Sequence, residues 1–178
     1  MNRIPYPDPE TLSAEKRALL DGASGVLNVS RMAMHATDAL WLAQRRLGQA
    51  AVYESTLDER LREMLILRVA YLSDSEYELF HHLSIAEHAG VTAEQRDAMR
   101  TGNFAQLTAD ERALANFVTE VVRDVRPSDE TLQTVRDAYG LPLVFEMIVL
   151  IGSYMLTARV AAASGVECDE VAVSAWKR

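Results

Sequence analysis

The chain has 178 residues, enough for one domain with a substantial hydrophobic core, and its single cysteine excludes a disulfide framework. Its 18 basic and 26 acidic side chains give a net charge of −8, so neither nucleic acids nor anionic membrane surfaces are expected as main partners. The opening residues MNRIPYPDPE lack the apolar segment of a secretory signal, so we expect a cytoplasmic protein.

The chain begins with a proline-rich segment, RIPYPDPE, at residues 3–10. Proline fixes its own backbone and biases the residue before it away from the helical region, so no helix is expected to start early. We therefore predict an extended arm at residues 1–13, which either lies on a neighbouring surface or frays as a free terminus.

Nine helices are predicted after this arm, and no segment alternates like a β-strand. Ser or Thr followed three positions later by Glu or Gln predicts helix starts, at Thr56/Glu59, Ser73/Glu76, Thr92/Gln95 and Thr108/Glu111. Glycines predict helix ends, at Gly90, Gly102, Gly140 and Gly165. The predicted helices cover residues 14–21, 29–35, 38–53, 57–72, 74–89, 93–101, 109–124, 129–139 and 143–164. The fold class is all-α, with one helical domain at residues 14–165 and a tail at 166–178.

The last predicted helix, residues 143–164, is apolar on nearly every side. Its apolar part is short for a membrane span and is interrupted by Glu146, Gly152, Ser153 and Arg159. We interpret it as a buried helix of a protein that does not enter the membrane. In so small a domain, such a helix often contributes to a subunit interface, so we expect a homo-oligomer.

Residues 73–88, SDSEYELFHHLSIAEH, combine carboxylates with histidines. With Ser73 as the N-cap, helical geometry places Ser75, Glu78 and His82 on one face. Glu78 and His82 are four residues apart, so the carboxylate can hold the imidazole, and apolar neighbours would keep part of the pair away from water. An ordinary ion pair at the surface is the alternative interpretation.

The preceding helix carries Glu63 within the apolar sequence RLREMLILRVAYL. Arg68, five residues later, points roughly 140° away from Glu63, so the two are poor direct partners. Arg68 could bind another carboxylate, including one on a substrate. The alternative for this region is weak surface pairing, for example Glu59 with Arg62.

These segments together resemble the carboxymuconolactone decarboxylase and alkylhydroperoxidase D (AhpD) family. The resemblance begins at RIPYPDPE, continues through LNVSRMAMHATDAL and TLDERLREMLILRVAYL, is sharpest in SEYELFHHLSIAEHAGVT, and extends to LTADERALANFVTEVV and the apolar last helix. It implies an AhpD-like helical bundle that assembles as a trimer, or as a hexamer made of two trimers. It also implies a site in which Glu63 and His82 match the family's glutamate and histidine, while Ser75 and Glu78 occupy the two cysteine positions.

The missing cysteines argue against the family's peroxidase chemistry. Peroxide reduction needs a thiolate at a helix N-terminus and a resolving thiol nearby, and the hydroxyl of Ser75 cannot form a sulfenic acid or a disulfide. The one thiol, Cys168, is flanked by Glu167, Asp169 and Glu170, whose charges disfavour a thiolate. A peroxidase is therefore the third hypothesis, retained only as a family-level label.

The leading hypothesis is a thiol-independent acid/base enzyme of the carboxymuconolactone decarboxylase type. It would decarboxylate, isomerise or hydrolyse a small organic acid or lactone, without a cofactor. The predicted catalytic residues are His82 as the acid or base, Glu78 or Glu63 as its orienting partner, and Ser75 as a hydrogen-bond donor. The predicted substrate-binding residues are Arg68, Tyr77 and His81, with Arg159 as a second possible clamp.

Two further expectations complete the sequence-based description. No metal ion is expected, because the spacing of Glu63, Glu78 and His82 lacks a zinc pattern, and the adjacent His81 and His82 diverge by about 100°. The second hypothesis is a non-catalytic oligomer on the same fold that binds a small ligand without converting it.

Overall fold

The computed structural model describes residues 2–22 and 25–172 of the chain. Residue 1 of the predicted arm and residues 173–178 of the predicted tail lie outside the described residues. Within the described ranges the secondary structure is helical, with no β-strand, as the sequence predicts. The helices are a 3-10 helix at Pro9–Thr11, α1 at Ala14–Leu20, α2 at Asn28–Ala33, α3 at Asp38–Tyr53, α4 at Glu59–Leu72, α5 at Glu76–His88, α6 at Ala93–Thr101, α7 at Ala109–Asp124 and α8 at Asp129–Ser164.

Two of the four predicted capping boxes form as expected. Thr92 and Thr108 each accept a hydrogen bond from the third residue of their helix, whose side chain accepts one in return from the cap's backbone N–H. The other two predicted caps are wrong. Asp58 caps α4 in place of Thr56, and Ser75 caps α5 in place of Ser73, which ends α4.

The predicted helices 129–139 and 143–164 join into α8, which is broken only at Gly140. Gly140 has φ 76° and ψ 159°, a conformation that L side chains rarely adopt, and Pro142 follows within the same turn. By length and composition α8 could cross a membrane, since its most apolar 18-residue window has a mean hydropathy of 1.8. It packs instead as a bundle helix, against α2, α3, α4, α5 and α7.

Helix α4 lies at the centre of the bundle and packs against α5, α6, α7 and α8. Every residue from 62 to 70 is buried, including the charged side chains Arg62, Glu63 and Arg68. Ionised side chains are rarely buried without partners, because removing a charge from water is costly. The contacts of these side chains therefore reveal which part of the core is polar.

The two ends of the described chain meet at the C-terminus of α8. The backbone N–H groups of Arg3 and Ile4 donate to the carbonyl of Ser164, and the N–H of Glu167 donates to the side chain of Asn2. The arm and tail thus satisfy polar groups at the end of α8. The domain boundaries at residues 13 and 165 remain a prediction.

Candidate functional site

The turn between α4 and α5 brings Glu63 and His82 together. Asp74 adopts φ 50°, which a short polar side chain tolerates better than most, and the N–H of Ser75 bonds to the carbonyl of Ala70. This tight turn folds α5 back along α4. As a result, Nδ1 of His82 lies 2.8 Å from Oε2 of Glu63.

Glu78 approaches the opposite side of the same imidazole. Its Oε2 lies 3.5 Å from Nε2 of His82, the four-residue pair that the sequence predicts. Its Oε1 is buried and has no hydrogen-bond partner among the described residues. A buried acceptor without a partner destabilises the charged carboxylate relative to the neutral acid. Burial, opposed by the charge of His82 and reinforced by that of Glu63, raises the pKa of Glu78 to about 7.

The same contacts favour the protonated form of His82. Burial alone would lower its pKa, but the hydrogen bond and charge of Glu63, together with the charge of Glu78, raise it above its usual value. Arg62 opposes this effect with its positive charge. The site therefore contains a glutamic acid whose pKa is about 7 beside a histidine whose protonated form is favoured more than usual.

Tyr154 of α8 completes this group of buried side chains. Its ring meets the His82 ring edge-on, with centroids 5.1 Å apart and an angle of 85° between the planes. Burial and the charges of Glu63 and Glu78 raise the pKa of Tyr154, so its hydroxyl stays protonated. We call Glu63, Glu78, His82 and Tyr154 the His82 cluster. Tyr154 was missed from the sequence, where it is one apolar-helix residue among many.

Arg62 is the guanidinium next to the His82 cluster, and its donors face protein groups. Its Nη1 donates to the carbonyl of Val52, and its Nη2 lies 3.6 Å from a carboxylate oxygen of Glu59. Its Nε lies 3.5 Å from Oε1 of Glu63, at the edge of hydrogen-bond range. Nε makes no hydrogen bond within the described residues, so Arg62 acts on the Glu63 carboxylate as a nearby positive charge.

Ser75, a predicted hydrogen-bond donor, caps α5. Its hydroxyl accepts a 3.4 Å hydrogen bond from the backbone N–H of Glu78, and the residue is buried. This contact fixes the first turn of α5, on which Glu78 is carried.

Arg68 and Arg159, the two predicted clamps, lie outside the His82 cluster. Arg68 is buried, donates to Thr119 and to the carbonyl of Met99, and stacks over the ring of Phe104. Arg159 is exposed and donates to the carbonyl of Met155 in its own helix. Each guanidinium thus donates to groups of the protein, and within residues 2–22 and 25–172 neither forms an ion pair with a glutamate.

Tyr77 and His81 form a second polar group with Asp169 of the tail. The hydroxyl of Tyr77 and Nε2 of His81 both contact Oδ2 of Asp169, the latter at 3.0 Å. The backbone N–H of Asn28, at the start of α2, donates to Oδ1 at 2.9 Å. We call Asn28, Tyr77, His81 and Asp169 the Asp169 cluster. Sequence reasoning considered Asp169 only as a neighbour of Cys168.

Two surface depressions lie away from both clusters. One is beside α6, around Ala93 and Asn103, and the other is at the turn between α7 and α8, around Pro127. Within the His82 cluster, the His82 side chain is the most exposed, at 12%. Across residues 2–22 and 25–172, no group of three or more His, Cys, Asp and Glu side chains is arranged to hold a metal ion.

Comparison with known proteins supports the family relationship. Residues 40–120, which include α4, α5 and three members of the His82 cluster, match the model described as the Carboxymuconolactone decarboxylase family. The matched segment of the chain is thus similar to this family. Within it, Ser75 and Glu78 occupy the two positions at which the resemblance implies cysteines, and position 168 holds the single cysteine of the chain. No curated protein matches the chain.

Solved structures share its AhpD-like fold at low sequence identity. An uncharacterised peroxidase-related protein from Ralstonia eutropha JMP134, described as an alkylhydroperoxidase AhpD core, has a TM-score of 0.76 at 17% identity, covering 95% of this chain and 93% of its own. A peroxidase-related protein from Silicibacter sp. TM1040 has a TM-score of 0.75 at 18% identity, with coverages of 94% and 90%. A protein of unknown function from Agrobacterium tumefaciens has a TM-score of 0.69 at 21% identity, with coverages of 77% and 94%. At such identities the likeness concerns the fold alone.

Proposed function

We propose that this protein is a thiol-independent acid/base enzyme acting on a small organic acid or lactone. The observation that carries the proposal is the buried contact of 2.8 Å between Nδ1 of His82 and Oε2 of Glu63. A carboxylate on one ring nitrogen fixes the tautomer and orientation of the imidazole and leaves the other nitrogen to exchange protons. That other nitrogen, Nε2, is the one that faces Glu78.

Glu78 supplies the second proton-transferring group of the proposed mechanism. Because its pKa is raised to about 7, the carboxyl group can hold or release a proton at neutral pH. His82 would then deliver a proton to the substrate, or remove one, and Glu78 would restore the protonation state of the imidazole. Decarboxylation, isomerisation and hydrolysis each need such a proton transfer to carbon or oxygen.

The test compares two histidine variants of the same helix. In His82→Gln, we expect turnover of lactones and β-keto acids to fall by about 10²- to 10⁴-fold, the usual contribution of a general acid or base. His88→Gln is the matched control, because His88 is exposed and its ring contacts the carbonyl of Ser84 in its own helix. Equal turnover in His82→Gln and the wild type would refute the proposal.

The same assay separates the other two hypotheses. A ligand-binding oligomer would bind members of the panel without converting any of them. A peroxidase would reduce peroxide with a rate that alkylation or Cys168→Ser abolishes. Burial and the charges of Glu76 and Asp169 raise the pKa of the Cys168 thiol, which opposes thiolate chemistry at pH 7.

We also propose a cytoplasmic homo-oligomer, a trimer or hexamer, that uses the outer face of α8. Large apolar side chains are exposed along this face at helical spacing, and they are Leu141, Phe145, Ile148, Val149 and Leu156. Such a continuous apolar face is unfavourable in water. We expect light scattering to give three or six times 19.8 kDa, and Phe145→Lys to lower the mass. Val125→Lys, at an exposed site outside this face, is the control, and a wild-type protein of 19.8 kDa would refute the proposal.

A further inference from the structure

The carboxylate of Asp169 connects three parts of the fold that are distant in sequence. Its Oδ1 accepts from the first backbone N–H of α2, a helix whose N-cap, Leu27, has no side-chain hydrogen bond of its own. Its Oδ2 accepts from Tyr77 and His81, both on α5 and both almost fully buried. One tail side chain therefore caps α2 and holds α5 at two points one helical turn apart.

The residues that Asp169 holds are the direct neighbours of the residues in the His82 cluster. Tyr77 precedes Glu78, and His81 precedes His82. Successive residues of a helix are rotated by about 100°, so the Asp169 cluster lies on the adjoining flank of α5. Any rotation or sliding of α5 that separates Tyr77 and His81 from Asp169 also moves Glu78 and His82.

We propose that Asp169 is a positioning residue, which fixes α5 so that His82 and Glu78 keep their places beside Glu63. The carboxyl-terminal segment is then part of the site without touching its reacting groups. The Asn28 side chain strengthens this attachment by donating to the carbonyls of Glu167 and Cys168 at 3.2 and 3.4 Å. The effect on turnover rests on the proposed function, whereas the effect on the His82 geometry does not.

The charges around the two histidines make it possible to distinguish a change in the position of α5 from the direct electrostatic effect of Asp169. His82 is influenced by Glu63, Glu78 and Arg62, which lie on α4 and α5. His81 is influenced by burial, which lowers its pKa, by Asp169, which opposes that effect, and by His82. Removing the Asp169 charge acts directly on His81, and a less protonated His81 would raise the pKa of His82, so a fall in the pKa of His82 reports a change in the position of α5.

The experiment is a titration of the histidine ring signals by NMR in the full chain, without substrate. In Asp169→Asn, we expect the pKa of His81 to fall further and that of His82 to fall by about 1, because its contact with Glu63 lengthens. Glu170→Gln removes the same charge from an exposed neighbouring position, and it should leave both titrations unchanged. A folded Asp169→Asn protein in which His82 titrates as in the wild type would overturn the proposal.

A second variant decides the question if Asp169→Asn does not fold. Tyr77→Phe keeps the ring, whose centroid lies 4.8 Å from that of His81, and removes the hydroxyl that binds Asp169 and accepts from the backbone N–H of Val29. We expect a smaller fall in the pKa of His82, and wild-type titration in this variant would overturn the proposal. If the proposed acid/base function were wrong, turnover in His82→Gln would be unchanged, and that result does not depend on these titrations.

Discussion

The His82 cluster and the Asp169 cluster lie on adjoining flanks of one helix, yet their hydrogen bonding differs. In the Asp169 cluster, both carboxylate oxygens of Asp169 accept from donors, so the buried charge is compensated. In the His82 cluster, Oε1 of Glu78 lacks a partner within the described part of the chain, and two carboxylates share one imidazole. A compensated polar group such as Asp169 stabilises the structure. The uncompensated carboxyl group of Glu78 has a pKa of about 7, which suits proton transfer.

The largest effect expected from this comparison is that of Glu63→Gln. The amide keeps the size of the side chain but removes the charge that offsets the burial of His82, so the pKa of His82 should fall. If His82 is the acid or base, turnover should fall by about 10²- to 10³-fold.

The control for this prediction is Glu76→Gln, because Glu76 is exposed and lies in the first turn of α5. Its turnover and its His82 titration should stay close to those of the wild type. A Glu63→Gln protein whose His82 titrates normally would contradict the assigned pairing.

A smaller effect, on stability, is expected for Glu78→Gln. The folded-state pKa of Glu78 is about 7 and its ordinary value is 4.5, so the folded protein binds more protons between these values and loses stability as pH rises through them. The variant has no carboxyl group to ionise at this position, so at pH 8 it should be more stable than the wild type by roughly 1–3 kcal/mol.

Denaturant unfolding at pH 5 and pH 8 measures this difference. His82, whose pKa is also raised, contributes stability below its ordinary pKa of 6.5 that is lost at higher pH, and part of that dependence remains in the variant. A Glu78→Gln protein that is less stable than the wild type at pH 8 would show that the buried Glu78 carboxylate does not destabilise the fold.

The smallest effect is expected for Asn28→Ala, on the Asp169 side of the comparison. The substitution removes two hydrogen bonds to the tail backbone but keeps the backbone N–H that binds Asp169. We expect a loss of about 1 kcal/mol in stability. Faster amide exchange in residues 166–170 with an unchanged His82 titration would confirm it, because Asp169 keeps its own contacts with α2 and α5. A shifted His82 titration would show that the Asn28 side chain also helps to position α5.

The sequence predicted the helices because their signals are local. A cap and its partner are three residues apart, so Thr92 and Thr108 identify the starts of α6 and α7 without knowledge of the rest of the fold. The same rule failed at Ser73, because Ser75 has the same kind of side chain two residues later. Only the path of the chain, with Asp74 at positive φ, decides which serine caps α5.

The pair of Glu63 and His82 was predicted by resemblance, and the structure brings the two side chains together. The roles suggested for Arg68, Tyr77 and His81 depended on contacts that sequence spacing does not specify. Arg68 meets Thr119, 51 positions away, and His81 meets Asp169, 88 positions away. Such partners are chosen by the packing of whole helices.

By itself, the sequence determined an all-α chain, the limits of most of its helices, and the absence of cysteine from the segment that carries Glu63, Glu78 and His82. The tertiary structure decided what surrounds the buried polar groups: Arg62 lies near Glu63, the Tyr154 ring meets that of His82, and Asp169 joins α2 to α5. The physical reason is one of range. Helix formation depends on neighbours within one or two turns, whereas the protonation of a buried group depends on every charge and dipole that folding brings near it.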